Sequence, residues 1–333
     1  MRHTGKMLRG LISMALLAWL FAQVDLGELR RTLLTAEARW LLIAHLLTPL
    51  TLAFGVVKWW LLLRARGVTL PAGALSRYYL IGAFWNNFLP SNFGGDVVRA
   101  VFAIRRAGRA AWPLVASSIA VERLTGLYGL FVALAAGLLL HWSWVAELGL
   151  LLPLGLATLA VAGGSLLVFG PSGRWLLDRL HRLPRGARLL RPVDTLYGAI
   201  LAYARVPGVI VQCLALSVAF YLVAALQLGI LLAAFPHVEA AWTTQLVTFC
   251  SLSLVALLPV SINGYGVQEG GYVLMLTSLG FALDEALVVA LAIRLILLAP
   301  AVVGGVLFAW SDLSREDIER ELAAGAPAVA GRG

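Results

Sequence analysis

Two acid–arginine pairs stand out in a chain that is otherwise poor in charge. Arg123 follows Asp96 after 27 residues, and Arg294 follows Glu269 after 25. Each carboxylate closes a stretch that mixes proline, glycine and polar residues within an apolar region. The first reads Leu89-Pro90-Ser91-Asn92-Phe93-Gly94-Gly95-Asp96-Val97-Val98-Arg99. The second reads Leu258-Pro259-Val260-Ser261-Ile262-Asn263-Gly264-Tyr265-Gly266-Val267-Gln268-Glu269. Both run Leu-Pro, then Ser and Asn, then glycine, then a carboxylate. Broken helices leave N–H groups free at their starts, and these favour an anion such as phosphate. Gly94, Gly95, Gly264 and Gly266, with Gly270 and Gly271, permit a ligand to approach the backbone closely. Arg99, Arg123 and Arg294 can grip a phosphate through paired N–H donors. Asp96, Glu122 and Glu269 can balance those arginines when the site is empty, or carry a proton or cation.

The candidate substrate-binding set is therefore Asn87, Pro90, Ser91, Gly94, Gly95, Asp96, Arg99, Glu122, Arg123, Pro259, Ser261, Asn263, Gly264, Gly266, Glu269 and Arg294. The same charges also suit a purely structural role, pairing to lock the bundle together. Asn86, Asn87, Asn92 and Asn263 read mainly as caps for the helix breaks. The five histidines (His3, His45, His141, His181 and His237) lack ligand spacing, so neither a metal nor a cofactor is expected. Cys213 and Cys250 lie in apolar segments and read as packing residues.

What must position these groups is a set of membrane helices. Only 13% of the residues are charged, about half the share of an ordinary soluble protein, and mean hydropathy is +0.89. Several apolar runs reach the ~20 residues needed to cross a bilayer. Broken backbone at that depth must find partners in protein or line a wet cavity. The net charge of +9 is explained by arginines crowding the loops on one side, and nucleic acid is not an expected partner.

Six spans are expected: Met7–Val24 (uncleaved), Trp40–Leu63, Trp112–Leu140, Leu148–Phe169, Gly208–Phe235 and Ala286–Trp310. Asp25–Arg39 reads as an interfacial helix, and Lys58 as a lysine snorkelling to the end of its span. The arginine-rich loop Gly170–Arg205 reads as cytoplasmic, with an interfacial helix carrying Trp175, Leu176, Leu180 and Leu183. Tyr78–Ala103 has arginines on both flanks and reads as a re-entrant hairpin from the cytoplasmic face. Trp242–Phe281 has no basic flank and reads as a second hairpin from the opposite face. Gly126 and Gly129 are expected to bring a neighbouring backbone close. The fold class is thus all-α: a polytopic transmembrane bundle of about six spans plus two re-entrant hairpins in a pseudo-inverted repeat. One transmembrane domain covers 1–310, with halves at about 7–140 and 148–310 and a cytoplasmic tail at 311–333. Ser314 and Asp317 make a capping box for a short helix in that tail. Paired interrupted segments of this kind point to a transport site near the midplane.

Three motifs carry a family resemblance. Asn86–Ala100, Glu122-Arg123-Leu124-Thr125-Gly126-Leu127 and Leu258–Gly271 together resemble the lysylphosphatidylglycerol synthase transmembrane-region family, also called flippase-like, over about residues 7–310. The resemblance implies a membrane bundle with a role in moving lipids between leaflets. Relatives handle aminoacylated phosphatidylglycerol, or are connected with hopanoid, cardiolipin or polyprenyl-linked sugar metabolism. The family's synthases carry a soluble aminoacyl-transfer domain after the membrane region. The segment after Trp310 is too short for one, so synthase activity is not expected.

The leading expectation is a lipid flippase of the cell (inner) membrane with both termini cytoplasmic. Its partners would be membrane lipids with an anionic head group, with a homo-oligomer or a lipid-synthesis enzyme as protein partner. The alternatives are a membrane-embedded lipid enzyme using Asp96, Glu122 or Glu269 as base, or a non-transporting accessory subunit.

Overall fold

The computed structural model describes residues 26–88, 94–140, 186–235, 240–257 and 264–311, with isolated positions between 147 and 179. The expected spans Met7–Val24 and Leu148–Phe169, and the capping box in the tail, lie outside the described residues or almost entirely so. The described chain is helical. In order it forms α1 (Leu26–Thr35), α2 (Ala38–Leu46), α3 (Thr48–Ala65), α4 (Ala72–Phe88), α5 (Gly94–Ala107) and α6 (Trp112–Leu140). Then come α7 (Gly186–Leu201), α8 (Pro207–Leu232), α9 (Trp242–Val255), α10 (Val267–Thr277) and α11 (Leu283–Ala309).

Among the described residues, four segments are long and apolar enough to cross a membrane: Ala38–Ala65, Arg109–Leu140, Pro207–Leu232 and Leu283–Ala309. Each coincides with an expected span. The first is broken at Leu47, because Pro49 has no N–H to donate and its ring crowds the preceding turn. Gln227 on α8 repairs the break by donating to the Ala44 carbonyl at 2.6 Å. The expected helix at Asp25–Arg39 is α1, pinned by a Thr32 hydroxyl that donates to Asp284 at the start of α11. The arginine-rich loop folds back at its C-terminal end: α7 packs on α6, and Tyr203 in the following turn donates to the Leu62 carbonyl.

The two interrupted segments each form a pair of short antiparallel helices. In α4–α5, Tyr78 faces Phe102 with ring centroids 5.4 Å apart, and Asn86 reaches the first turn of α5. The backbones touch at Gly82 and Gly95, where a Cβ on Gly95 would collide with the Gly82 carbonyl. In α9–α10, Gly271 packs directly against Leu252. The order long, short, short, long therefore occurs twice, as α2/α3-α4-α5-α6 and as α8-α9-α10-α11.

Glycines also stop some of these helices. Gly67 after α3 and Gly280 after α10 take the left-handed backbone, with φ of 77° and 97°. The next residue's N–H in each case returns five residues, Val68 to Leu63 and Phe281 to Leu276, with the apolar side chain turned inward.

Glycines also bring long and short helices close together. α11 packs along α4, where Gly304 meets the Leu80 carbonyl and Gly305 meets the Phe84 ring. α6 packs along α9, where Gly137 meets Val247. Gly129 on α6 also lies against the backbone of Ser217 and Val218 on α8, as its spacing predicts. Cys213 and Cys250 are buried, unpaired and part of the apolar packing.

Candidate functional site

The first carboxylate, Asp96, sits in the first turn of α5, where the helix dipole suits an acid. Asn86 at the end of α4 caps that same turn, its Oδ1 accepting from the Gly95 N–H at 2.8 Å. Arg123 on α6 meets Asp96 with two nitrogens, Nε and Nη2, each 2.7 Å from Oδ2. Arg99, one turn along α5, places Nη2 2.9 Å from Asp96 Oδ1 and 2.9 Å from Glu122 Oε2. Its flat faces lie between Trp59 and Tyr79, at 4.7 and 4.6 Å to the ring centroids. Trp59 is held in that pose by donating to the Ser118 hydroxyl at 3.0 Å. Tyr79 donates to Glu122 Oε1 at 3.2 Å. Its path runs over Gly55, where any Cβ would strike the phenol.

Asp96, Arg99, Glu122, Arg123 and Tyr79 line a cavity of about 1320 Å³. Its wall draws on both halves: Thr51, Phe54 and Lys58 from α3, Asn86 from α4, Ala120 and Leu127 from α6, Phe220 and Tyr221 from α8, and Ser253 from α9. The charged groups gather around Asp96 and Glu122, and most of the remaining wall is apolar.

Lys58 departs from its expected role. It does not snorkel outward but is buried, 6% exposed, and turns into the cavity. There it donates to the Glu122 carbonyl at 3.2 Å, in the space left by the missing side chain of Gly126. The physical reason lies in depth. Lys58 is nearly two turns inside Arg64, about 9 Å at 1.5 Å per residue, while a polar cavity opens beside it. Sequence reading also missed Trp59, Tyr79 and Gly55. A usable signal was present for Lys58, since a lysine two turns from the nearest flanking arginine is far from the interface. Nothing in the linear sequence marks Tyr79.

Glu269 and Arg294 also meet, with Arg294 Nε on Glu269 Oε1. Their setting differs. Glu269 is 2% exposed, and its other oxygen accepts from the Gly266 N–H at 2.8 Å, closing the start of α10. Arg294 also reaches Gln268 Oε1 at 3.2 Å and lies over the Tyr265 ring at 4.2 Å. None of these four residues lines the large cavity. The two broken segments do meet: Tyr265 donates to Asn87 Oδ1 at 3.2 Å, while the Asn87 amide donates to the Ala83 carbonyl.

Of the sequence-predicted residues, Asp96, Arg99, Glu122 and Arg123 line the cavity. Gly94 is buried at the start of α5, and Gly95 serves the packing of α4 on α5. Gly264 and Gly266 take positive φ, 74° and 81°, in the turn before α10. Pro90, Ser91, Pro259, Ser261 and Asn263 lie outside the described residues, as does the proposed cap Asn92.

Four membrane-length helices, with charged side chains turned into an internal cavity rather than toward lipid, define a polytopic membrane protein. The chain belongs to the lysylphosphatidylglycerol synthase TM region family, which it matches over residues 6–305. A comparison with curated proteins finds no match.

Proposed function

We propose that this chain moves a lipid between the leaflets of the cell (inner) membrane, as a transporter and not as an enzyme. The polar head passes through the cavity at Asp96, Arg99, Glu122 and Arg123, while the acyl chains follow the apolar wall. The substrate is a phospholipid or another anionic, polyprenyl- or hopanoid-type lipid. The observation that carries this reading is the cavity itself, which joins paired charges and apolar wall from both halves in one space. Buried ionisable groups that face a cavity at membrane depth mark substrate pathways. Family membership supports it.

The test is reconstitution of the purified protein into vesicles with fluorescent phosphatidylglycerol, followed by quenching from outside. Transbilayer movement should exceed that of empty vesicles. Asp96→Asn, which removes a charge from the cluster, should slow it about tenfold, the loss of one charge-assisted contact. No acceleration with phosphatidylglycerol, cardiolipin or a polyprenyl phosphate would end the proposal. Product formed from labelled lipid, and lost in Asp96→Asn, would replace it with the enzyme reading.

We further read α4–α5 and α9–α10 as re-entrant hairpins that enter from opposite faces, making an inverted repeat. The helices have 17, 14, 14 and 11 residues, about 25 Å or less each, short of the ~30 Å hydrocarbon core. In protein with Cys213 and Cys250 changed to alanine, Ala72→Cys and Ala107→Cys should label only from the cytoplasm. Ala241→Cys and Ala282→Cys should label only from outside. Labelling of all four from one face would remove the inverted repeat.

A further inference from the structure

Among the described residues, the cavity carries more positive than negative charge. Lys58, Arg99, Arg109 and Arg123 line it, against Asp96 and Glu122. The cations are used unequally. Arg123 spends two nitrogens on Asp96. Arg99 meets both carboxylates through Nη2 alone, and its Nε and Nη1 are buried with no acceptor. Lys58 has three N–H donors, and its one oxygen acceptor is the Glu122 main-chain carbonyl; no carboxylate lies within ion-pair distance. Lys58 and Arg99 thus bracket the same residue, one at its carbonyl and the other at its carboxylate. Both are more than nine-tenths buried. A buried cation without an anion is costly, and unmade donors add to the cost.

We propose that Lys58 and the Arg99 guanidinium, which flank the same Glu122 in the cavity wall, form a phosphate-recognition site in the cavity. Its ligand is a phosphate-bearing anion, either the head group of a lipid or a soluble phosphate. The site gives the Lys58 charge the anion it lacks among the described residues. Lys58 supplies a point charge with freely rotating donors, and Arg99 supplies a planar edge fixed between two rings. The inference deepens the transport reading, on which it rests, by naming the head-group chemistry and adding a residue to the passage.

The test is thermal stabilisation of the full chain in detergent by added dioleoylphosphatidylglycerol, by dioleoylglycerol and by inorganic phosphate. Phosphatidylglycerol should stabilise wild-type protein, and the diacylglycerol with the same chains but no phosphate should not. In Lys58→Gln the half-saturating phosphatidylglycerol concentration should rise about tenfold, the loss of one charge-assisted hydrogen bond. Lys58→Arg, which keeps the charge, should stay within a few-fold of wild type. Stabilisation by inorganic phosphate, lost in Lys58→Gln, would place the source of the anion in solution, and its absence would place it in the lipid.

Equal stabilisation by diacylglycerol and phosphatidylglycerol overturns the proposal without any variant, so a Lys58→Gln that fails to fold does not shelter it. Unchanged binding in a folded Lys58→Gln overturns it too. The same proteins in the vesicle assay separate the two readings. Binding without translocation leaves the site and ends the transport reading. Translocation that Lys58→Gln leaves unaltered ends the site alone.

Discussion

Arg99 shows how a single side chain is made to stay charged inside an apolar bundle. Two carboxylates reach the same nitrogen, and two rings cover its faces. Removing one partner from such a set leaves an uncompensated charge, which costs about 3–5 kcal/mol for a buried pair. Glu122 depends in turn on Tyr79, and Tyr79 depends on the absence of a side chain at Gly55. Gly55→Ala should push the phenol off Glu122 and cost about 1–3 kcal/mol, as overpacking does. Thermal unfolding should show that loss, and Tyr79→Phe, which keeps the ring but not the hydroxyl, should reproduce any change in translocation. The second pair has a different role. Glu269 is sealed from the cavity and caps α10, so Glu269→Gln should lower the unfolding temperature while leaving translocation per folded molecule unchanged. Altered lipid preference in folded Glu269→Gln would instead put Glu269 in the passage.

At the scale of elements, α11 and α4 meet in a glycine seam. α11 approaches α4 so closely at Gly304 that a Cβ would collide with the backbone carbonyl of Leu80. Backbone cannot swing away as a flexible side chain can, so the helices themselves must part. Arg77 on α4 strengthens the seam by reaching the Leu307 and Trp310 carbonyls at the end of α11, 3.4 Å from each. Those carbonyls lack intrahelical donors, and the helix terminus favours a cation. Gly304→Ala should therefore destabilise by about 1–3 kcal/mol. Gly198→Ala, in α7 with nothing within 4 Å, should stabilise by about 0.5–1 kcal/mol, and the pair measured by thermal unfolding checks the argument. An unchanged Gly304→Ala would mean that the helices accommodate a methyl group at the Leu80 carbonyl, against this argument.

At the scale of the whole molecule, two quartets of helices have the same order, yet their charges are used unequally. In the first quartet the acid–arginine pair opens onto the cavity and is joined by Lys58, Arg99 and Glu122. In the second it is closed over by Tyr265, Gln268 and the turn at Gly266. Tyr265 links the two by donating to Asn87, so the sealed half braces the rim of the open one. This asymmetry makes the expected defect of Asp96→Asn one of translocation and that of Glu269→Gln one of folding. The vesicle assay and the unfolding assay, run on Asp96→Asn and Glu269→Gln together, read the two effects apart.

The membrane class, the helix order and the two acid–arginine spacings were legible in the linear sequence. Apolar length sets a span, proline and glycine set its breaks, and a charge at membrane depth must find its opposite. The span that starts at Trp112 was readable because nothing interrupts the helix from there to Leu140, where the described residues stop. That each broken segment ends in a carboxylate with an arginine some 25 residues on was legible; which arginine each carboxylate meets was not. Tertiary structure alone decided which pair is open. Both carboxylates begin a helix after a broken segment, and only the neighbours brought in from other helices distinguish them. It also decided that Lys58 points inward and that Tyr79 reaches Glu122 over Gly55. Those contacts cross 64 and 43 residues of chain and depend on how α3, α4 and α6 pack. Local sequence specifies where a helix starts and stops, but the direction a buried side chain takes is set by the cavity beside it, and that cavity exists only once the helices have assembled.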